Sequence, residues 1–183
     1  PVILISEPHC HKGQVSFKAK GLKVISFGQS PRAALAFPAH VKAYSKPDLS
    51  NRDTVVVIVE NINKSKICII SMYNDILLCD PVLGNNIHSA VTLAESERIG
   101  VLIGGDSNAH STLWGCQTNN FRGDKFEEFI AQNNLTINNT GSKPTFETVN
   151  GKSIIDVTLT NLAIESNVSE WAVSDKETFS DHK

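Results

Sequence analysis

No apolar run in this 183-residue chain approaches the roughly 20 residues that a membrane span requires, and nothing near Pro1 reads as a secretory signal. A membrane partner is therefore not expected. The four cysteines, Cys10, Cys68, Cys79 and Cys116, form no C-x-x-C pair, which argues against a zinc ribbon or a disulfide framework. Three of them lie in or near apolar runs, so buried free thiols in a reducing, intracellular compartment are expected. His9-Cys10-His11 reads as loop, because adjacent residues rarely converge on one ion and no second ligand pair stands at zinc-site spacing. Internal repeats, low-complexity tracts and linker-like stretches are also missing, and residues 1–183 are expected to form a single domain.

What is present is an uneven charge. Residues 1–66 carry ten Lys/Arg against four Asp/Glu, a net +6, and residues 67–183 carry seven against fifteen, a net −8, which together give −2. Solvated faces would account for this. So would a basic part that holds a polyanion over a cation-binding acid cluster. Short runs rich in β-branched residues recur at Val2–Ile5, Leu22–Phe27, Ala33–Phe37, Val55–Val59, Ile67–Ser71, Val101–Ile103, Leu135–Ile137 and Ile155–Leu159. Each is bounded by Gly, Pro, Asn, Asp or Ser, which predicts strands. Ile87, Ala90, Val91 and Ala94 follow helical spacing, as do Phe126, Phe129 and Ile130, the latter helix expected to be capped at Asp124 with Glu127 three residues on. Many strands and few helices predict packed sheets flanked by helices.

The chemistry-bearing residues stand at strand ends. Val101-Leu102-Ile103 runs into Gly104-Gly105 and then Asp106, Asn108 and His110, followed by Trp114-Gly115. Asp106 and Asn108, two apart in what reads as an extended segment, are expected on one face, where a carboxylate takes a proton from water and an amide orients it. His110 reads as a loop-orienting residue and Trp114 as a packing anchor. Glu7 follows an apolar strand and precedes Pro8, a position suited to holding a hard cation such as Mg²⁺. Asp156, flanked by Ile154, Ile155, Val157 and Leu159, is costly to bury without a partner, and His182 is the natural one. Such a pair fixes the imidazole tautomer and raises its pKa. Tyr73 stands where a phenol reaches a phosphate oxygen, or where a half-buried tyrosine packs. Acids, an amide and an Asp-His pair suit metal-assisted phosphodiester cleavage.

At Ile5-Ser6-Glu7-Pro8, Ser71-Met72-Tyr73, Gly105 through Gly115, Pro144-Thr145-Phe146, Ser153 through Thr158 and Ser180-Asp181-His182, the chain resembles the endonuclease/exonuclease/phosphatase superfamily. It is most similar there to the apurinic/apyrimidinic-type endonuclease domains of non-LTR (LINE-type) retrotransposons. The Asn108-Ala109-His110…Trp114-Gly115 stretch and the approach through Trp171 and Ser174-Asp175 resemble the arthropod target-specific elements. The resemblance implies a four-layer α/β sandwich of the DNase I-like type, with two mainly antiparallel sheets face to face and helices outside. The family's first and last strands are expected to lie outside this sequence. Carried over by position, Glu7 holds the divalent metal, Mg²⁺ with Mn²⁺ as a substitute, and Asp106 activates the water. Asn108 and Tyr73 orient water and phosphate, Asp156 orients His182, His182 stabilises developing charge, and Asp181 assists the metal or leaving group.

The expectation is a DNA endonuclease that nicks one strand of double-stranded target DNA in the nucleus. The resemblance implies 3′-hydroxyl and 5′-phosphate products, the hydroxyl priming the reverse transcriptase domain of the same polyprotein. Lys12, Lys18, Lys20 and Lys23, in the basic part, are the expected DNA-binding residues. Two alternatives share the fold: an abasic-site repair endonuclease and a catalytically silent nucleic-acid-binding domain. A silent domain has no need of the acid, amide and imidazole motifs.

Overall fold

The computed structural model describes residues 1–61, 63–77, 81–176 and 180–183, so Cys79 lies outside the described residues. The chain runs β1 (Ile3–Ser6), a small hairpin β2 (Cys10–His11) and β3 (Gln14–Val15), β4 (Leu22–Ile25), β5 (Ala33–Pro38), β6 (Lys42–Ser45), β7 (Thr54–Glu60) and β8 (Lys66–Tyr73). It continues through α1 (Asn85–Ser96), β9 (Gly100–Asp106), α2 (Phe121–Gln132), β10 (Leu135–Ile137), a second hairpin β11 (Phe146–Thr148) and β12 (Gly151–Ser153), and β13 (Asp156–Asn161). Every segment with the strand signature forms a strand. The exposed edge strand β6 and the two hairpins carry too few apolar residues to announce themselves.

The larger sheet has six strands in the order β10-β13-β9-β8-β7-β6 and the smaller has three, β1-β5-β4. All their pairings are antiparallel except β8 with β9, which are joined through α1 as a parallel pair requires. β7 is buried on both faces because it is sandwiched, which explains its unbroken Val-Val-Val-Ile-Val run. Val55 and Val57 meet Leu35 and Phe37 of the smaller sheet, joined by Leu4, Ile25, Ile69 and Leu102. Val56 points the other way, into a second core with Ile70, Val101, Ile103 and Leu159, covered by Ile87, Ala90, Val91 and Ala94 of α1 and Phe126, Phe129 and Ile130 of α2. The molecule is thus the expected α/β sandwich. Among the described residues both helices cover the larger sheet.

The cap of α2 differs from expectation. Asn120, not Asp124, is the N-cap: its side-chain oxygen accepts from the Gly123 N–H at 2.8 Å and from the His110 N–H at 3.2 Å. Asn caps a helix as well as Asp does, and here it also ties down the loop before the helix. Asp124 sits in the first turn, and Glu127 accepts from Ser111 Oγ and from Asn119.

Gly104 and Gly105 of β9 stand where neighbouring strands leave little room. A Cβ on Gly104 would lie 2.9 Å from the Leu4 methyl of β1, and one on Gly105, whose φ is +142°, would collide with the Met72 carbonyl oxygen of β8. Gly105 is therefore held to glycine by space and by conformation, whereas at Gly104 the Leu4 side chain would have to shift. Gly105→Ala should cost about 3 kcal/mol of folding stability, measured by urea unfolding, since the obstacle is backbone rather than a movable side chain. An alanine variant with an unchanged midpoint and slope would mean that β8 and β9 are free to separate.

Candidate active site

The parallel strands β8 and β9 end side by side at Tyr73 and Asp106, and antiparallel β13 begins at Asp156 directly opposite Asp106. Strand alternation turns all three toward the smaller sheet, where β1 ends at Ser6 and Glu7 follows. Ser6 joins the two sheets: its hydroxyl donates to the Met72 carbonyl and accepts the Asp106 N–H, each at 3.2 Å. Glu7 leaves the strand with φ +47°, and its N–H donates to the Arg32 carbonyl at 2.7 Å. His182 arrives from the chain's last segment, which bridges to β11. There Phe146 packs edge-on to the imidazole at 4.9 Å, and the Lys183 N–H donates to the Thr145 carbonyl at 2.8 Å.

These elements bring Glu7, Asp106 and His182 together, with ligand atoms all within 4.8 Å of one another. Among the described residues, neither His9, Cys10 nor His11 belongs to this cluster; Cys10 and His11 lie on the β2–β3 hairpin. His182 Nδ1 meets Asp156 Oδ2 at 2.9 Å, leaving Nε2 facing Asp106 at 3.9 Å. The expected Asp-His pair is formed. Asp156 is nevertheless not a mid-strand buried acid: it opens β13 and is half-buried, its own N–H held by Thr145 Oγ1 at 3.0 Å.

Asp106 is only 2% exposed, and burial pushes its carboxyl up to about 6, against the opposing pull of the Asn108 N–H. The Asp156 bond holds the His182 imidazolium above its ordinary range. Burial, with the charge of Glu7 added, raises the Tyr73 phenol. Asn108 corrects one expectation. The strand stops at Asp106, and Asn108 adopts φ +46° instead of continuing extended. The two meet by folding back: the Asn108 N–H donates to Asp106 Oδ1 at 2.8 Å and its amide to Asp106 Oδ2 at 3.2 Å. Asn tolerates that left-handed conformation better than most residues.

An open cleft of about 430 Å³ holds Glu7, Tyr73, Asp106, Asn108, His110 and His182. Asp181 stands outside this convergence, exposed, with its carbonyl accepting the Glu147 N–H at 2.9 Å. Lys12, at the turn of the β2–β3 hairpin, and Lys18, Lys20 and Lys23 are all exposed. Trp114 is the packing anchor that the sequence suggests: it is buried against Phe126 and its indole N–H donates to the Ile154 carbonyl at 3.1 Å.

Several supporting groups carry no sequence signal of their own. Arg32 forms a two-pronged pair with Asp53 at 2.6 and 2.7 Å, reaches Asp75 at 2.6 Å, and stacks 4.6 Å from the centre of the Tyr73 ring. Asn74 is buried and donates to the Ser107 carbonyl at 2.9 Å. Arg122 reaches into the cleft from α2. An isolated Arg or Asn beside a loop reads like any solvated polar residue until its partners are known.

A carboxylate cluster, an Asp-His pair and an amide at the strand ends of a two-sheet sandwich define a phosphodiester hydrolase of the endonuclease/exonuclease/phosphatase fold. The profile of the Endonuclease-reverse transcriptase family matches residues 67–183, and the chain belongs to that family. Among solved structures it resembles the endonuclease domain of TRAS1, a telomere-specific non-LTR retrotransposon, with a TM-score of 0.85 and 27% identity over 99% of this chain and 82% of that one. The AP endonuclease LMAP from Leishmania major gives a TM-score of 0.67 at 12% identity, over 89% of this chain and 68% of that one. The APE2 catalytic domain of Xenopus laevis gives 0.60 at 15%, over 90% and 74%. These last two share the fold alone. No curated protein sequence matches the chain.

The His182–Asp156 pair makes a prediction that needs no substrate. The carboxylate favours the protonated ring, so the metal-free protein should show a His182 NMR titration midpoint above the ordinary 6.5. Asp156→Asn should bring it down. The pair's contribution to stability is then complete below 6.5 and is lost as pH rises through the higher folded value. A midpoint in the parent no higher than in Asp156→Asn would show that the pair is not ionic.

Proposed function

We propose that the protein is a divalent-metal-dependent DNA endonuclease that nicks one strand of double-stranded target DNA. In this reading it acts in the nucleus and leaves a 3′-hydroxyl and a 5′-phosphate, the hydroxyl priming a reverse transcriptase domain of the same polyprotein. The observation that carries this is the convergence of Glu7, Asp106 and His182 in a cleft also lined by Tyr73 and Asn108, in a chain of this family.

The donor set fits Mg²⁺, or Mn²⁺ in its place. Glu7 offers an exposed carboxylate, so most of a hard cation's shell remains open to water and phosphate. His182, with Nδ1 engaged by Asp156 and its cationic form favoured, suits donation from Nε2 better than metal ligation. Asp181, exposed beside His182, assists the metal or the leaving group. When bound, the metal supplies charge neutralisation at the phosphate and a more acidic water.

The protein's own groups do the rest. Asp106 takes the proton of the attacking water, and a carboxyl titrating at about 6 is well matched to that task near neutral pH. Asn108 orients the water and Tyr73 donates to a phosphate oxygen. His182 places an N–H and a positive charge against the developing negative charge. Lys12, Lys18, Lys20 and Lys23 contact backbone phosphates flanking the site.

Single-turnover nicking alongside binding in Ca²⁺, chosen to permit binding with little cleavage, tests the assignment. Asp106→Asn should bind DNA as well as the parent and lose about 10²–10⁴-fold in rate, since proton transfer belongs to the transition state. Glu7→Gln should lose Mg²⁺-supported nicking while keeping the fold. Asp106→Asn that cleaved its bound DNA at the parental rate would overturn the mechanism. A separate salt titration addresses the lysines: neutralising one phosphate-contacting Lys should lower the slope of log K against log salt by about 0.9. An unchanged slope and affinity would make that basic segment a solvated face.

A further inference from the structure

Among the described residues, Arg122 donates to four backbone carbonyls, and they belong to both loops that frame the cleft. Its Nε donates to the Asn108 carbonyl at 2.8 Å and its Nη1 to the Ile76 carbonyl at 3.3 Å. Its Nη2 donates to the carbonyls of Asn74 at 3.2 Å and Asp75 at 3.1 Å. One loop follows β9 and carries Asn108. The other follows β8 directly after Tyr73. The Asn108 amide donates to the same Asn74 carbonyl at 3.2 Å, so the loops are joined to each other as well as to α2.

We propose that Arg122 is a positioning residue for phosphodiester cleavage: one guanidinium, mounted on α2, locks Asn108 onto Asp106 and fixes its loop against the one that follows Tyr73. The inference rests on the nuclease reading above. Asn108 sits at φ +46°, a conformation costly to an L-residue and kept only where the surroundings hold it. Two restraints hold its peptide units: the bond from its N–H to Asp106 Oδ1 at one side and the Arg122 grip on its carbonyl at the other. Without the second, relaxation to negative φ would carry the amide away from Asp106.

The mount is built for close approach. Gly123 lies against the His110 carbonyl oxygen, where any Cβ would collide, and the Asn120 cap binds the His110 N–H at 3.2 Å. The first turn of α2 is therefore pressed onto the loop that Arg122 holds. A planar fork is required for this task, since a lysine ammonium is a compact point charge that cannot reach four carbonyls in two loops together.

The test combines amide hydrogen exchange with single-turnover nicking at saturating DNA. In Arg122→Lys the Asn74 and Asn108 amides should exchange faster while those of β7 and β8 keep their protection. The rate per bound complex should fall about 10–100-fold, as expected for a small misplacement of reacting groups. Affinity in Ca²⁺ should be little changed. Methylguanidinium added to Arg122→Ala should restore part of the rate together with the slow exchange of the Asn74 and Asn108 amides. Parental exchange at Asn74 and Asn108, a parental rate per bound complex, or protection lost across β7 and β8 would each overturn the proposal. If the parent itself bound DNA and never nicked it, the nuclease reading would fail, and the exchange measurement would still decide whether Arg122 holds the loops.

Discussion

The close approach of β1 to the ends of β8 and β9 is the constraint on which the site depends. At Gly104 the Leu4 side chain of β1 lies where a Cβ would stand, and at Gly105 the Met72 carbonyl of the neighbouring strand β8 does, so β8 and β9 run close together while β1 packs over them. Once the strands are this close, one hydroxyl spans them: Ser6 donates to Met72 and accepts from Asp106. The next residue after Ser6 is Glu7, so the same contact that closes the sandwich delivers a carboxylate from one sheet to the buried acid of the other. A site assembled across two sheets need not be rebuilt by loops if the sheets meet at its edge.

The electrostatics follow from that placement. Three acids stand near one another, and their mutual repulsion is tolerated because each is answered differently. Asp106 is buried and shifts toward the neutral form, while the Asn108 N–H limits the shift. Asp156 is half-buried and answered by His182. Glu7 stays exposed and open to a cation. Environment alone thus separates three carboxylates into a buried one shifted toward neutrality, one paired with an imidazole and one exposed, the kind of separation that lets like acids take different tasks.

Much of this was legible beforehand because burial and strand period write themselves into sequence. The apolar runs marked the strands, and Asp156 stood out as an acid among Ile and Val whose partner proved to be His182. What stayed hidden depends on groups that meet only in the fold. Asn108 looked like the next outward residue of a strand, but the chain turns left-handed there because its N–H is captured by Asp106. The α2 cap moved from Asp124 to Asn120 because Asn120 serves the His110 loop as well as the helix. β6, exposed along most of its length, had no apolar alternation to read.

The same reasoning explains why the two arginines around the cleft were invisible and why both are arginine. Arg32 must satisfy Asp53 with two parallel bonds, reach Asp75, and lie flat over the Tyr73 ring. Its carbonyl meanwhile receives the Glu7 N–H, so the residue that packs on the phenol also anchors the turn that carries Glu7. Arg122 does the corresponding work through backbone carbonyls. A planar guanidinium fills both roles because its donors point along several fixed directions at once, and its weaker hydration makes partial burial less costly than for an ammonium. Their sequence neighbourhoods are ordinary, and their contacts fix the surroundings of Tyr73, Glu7 and Asn108.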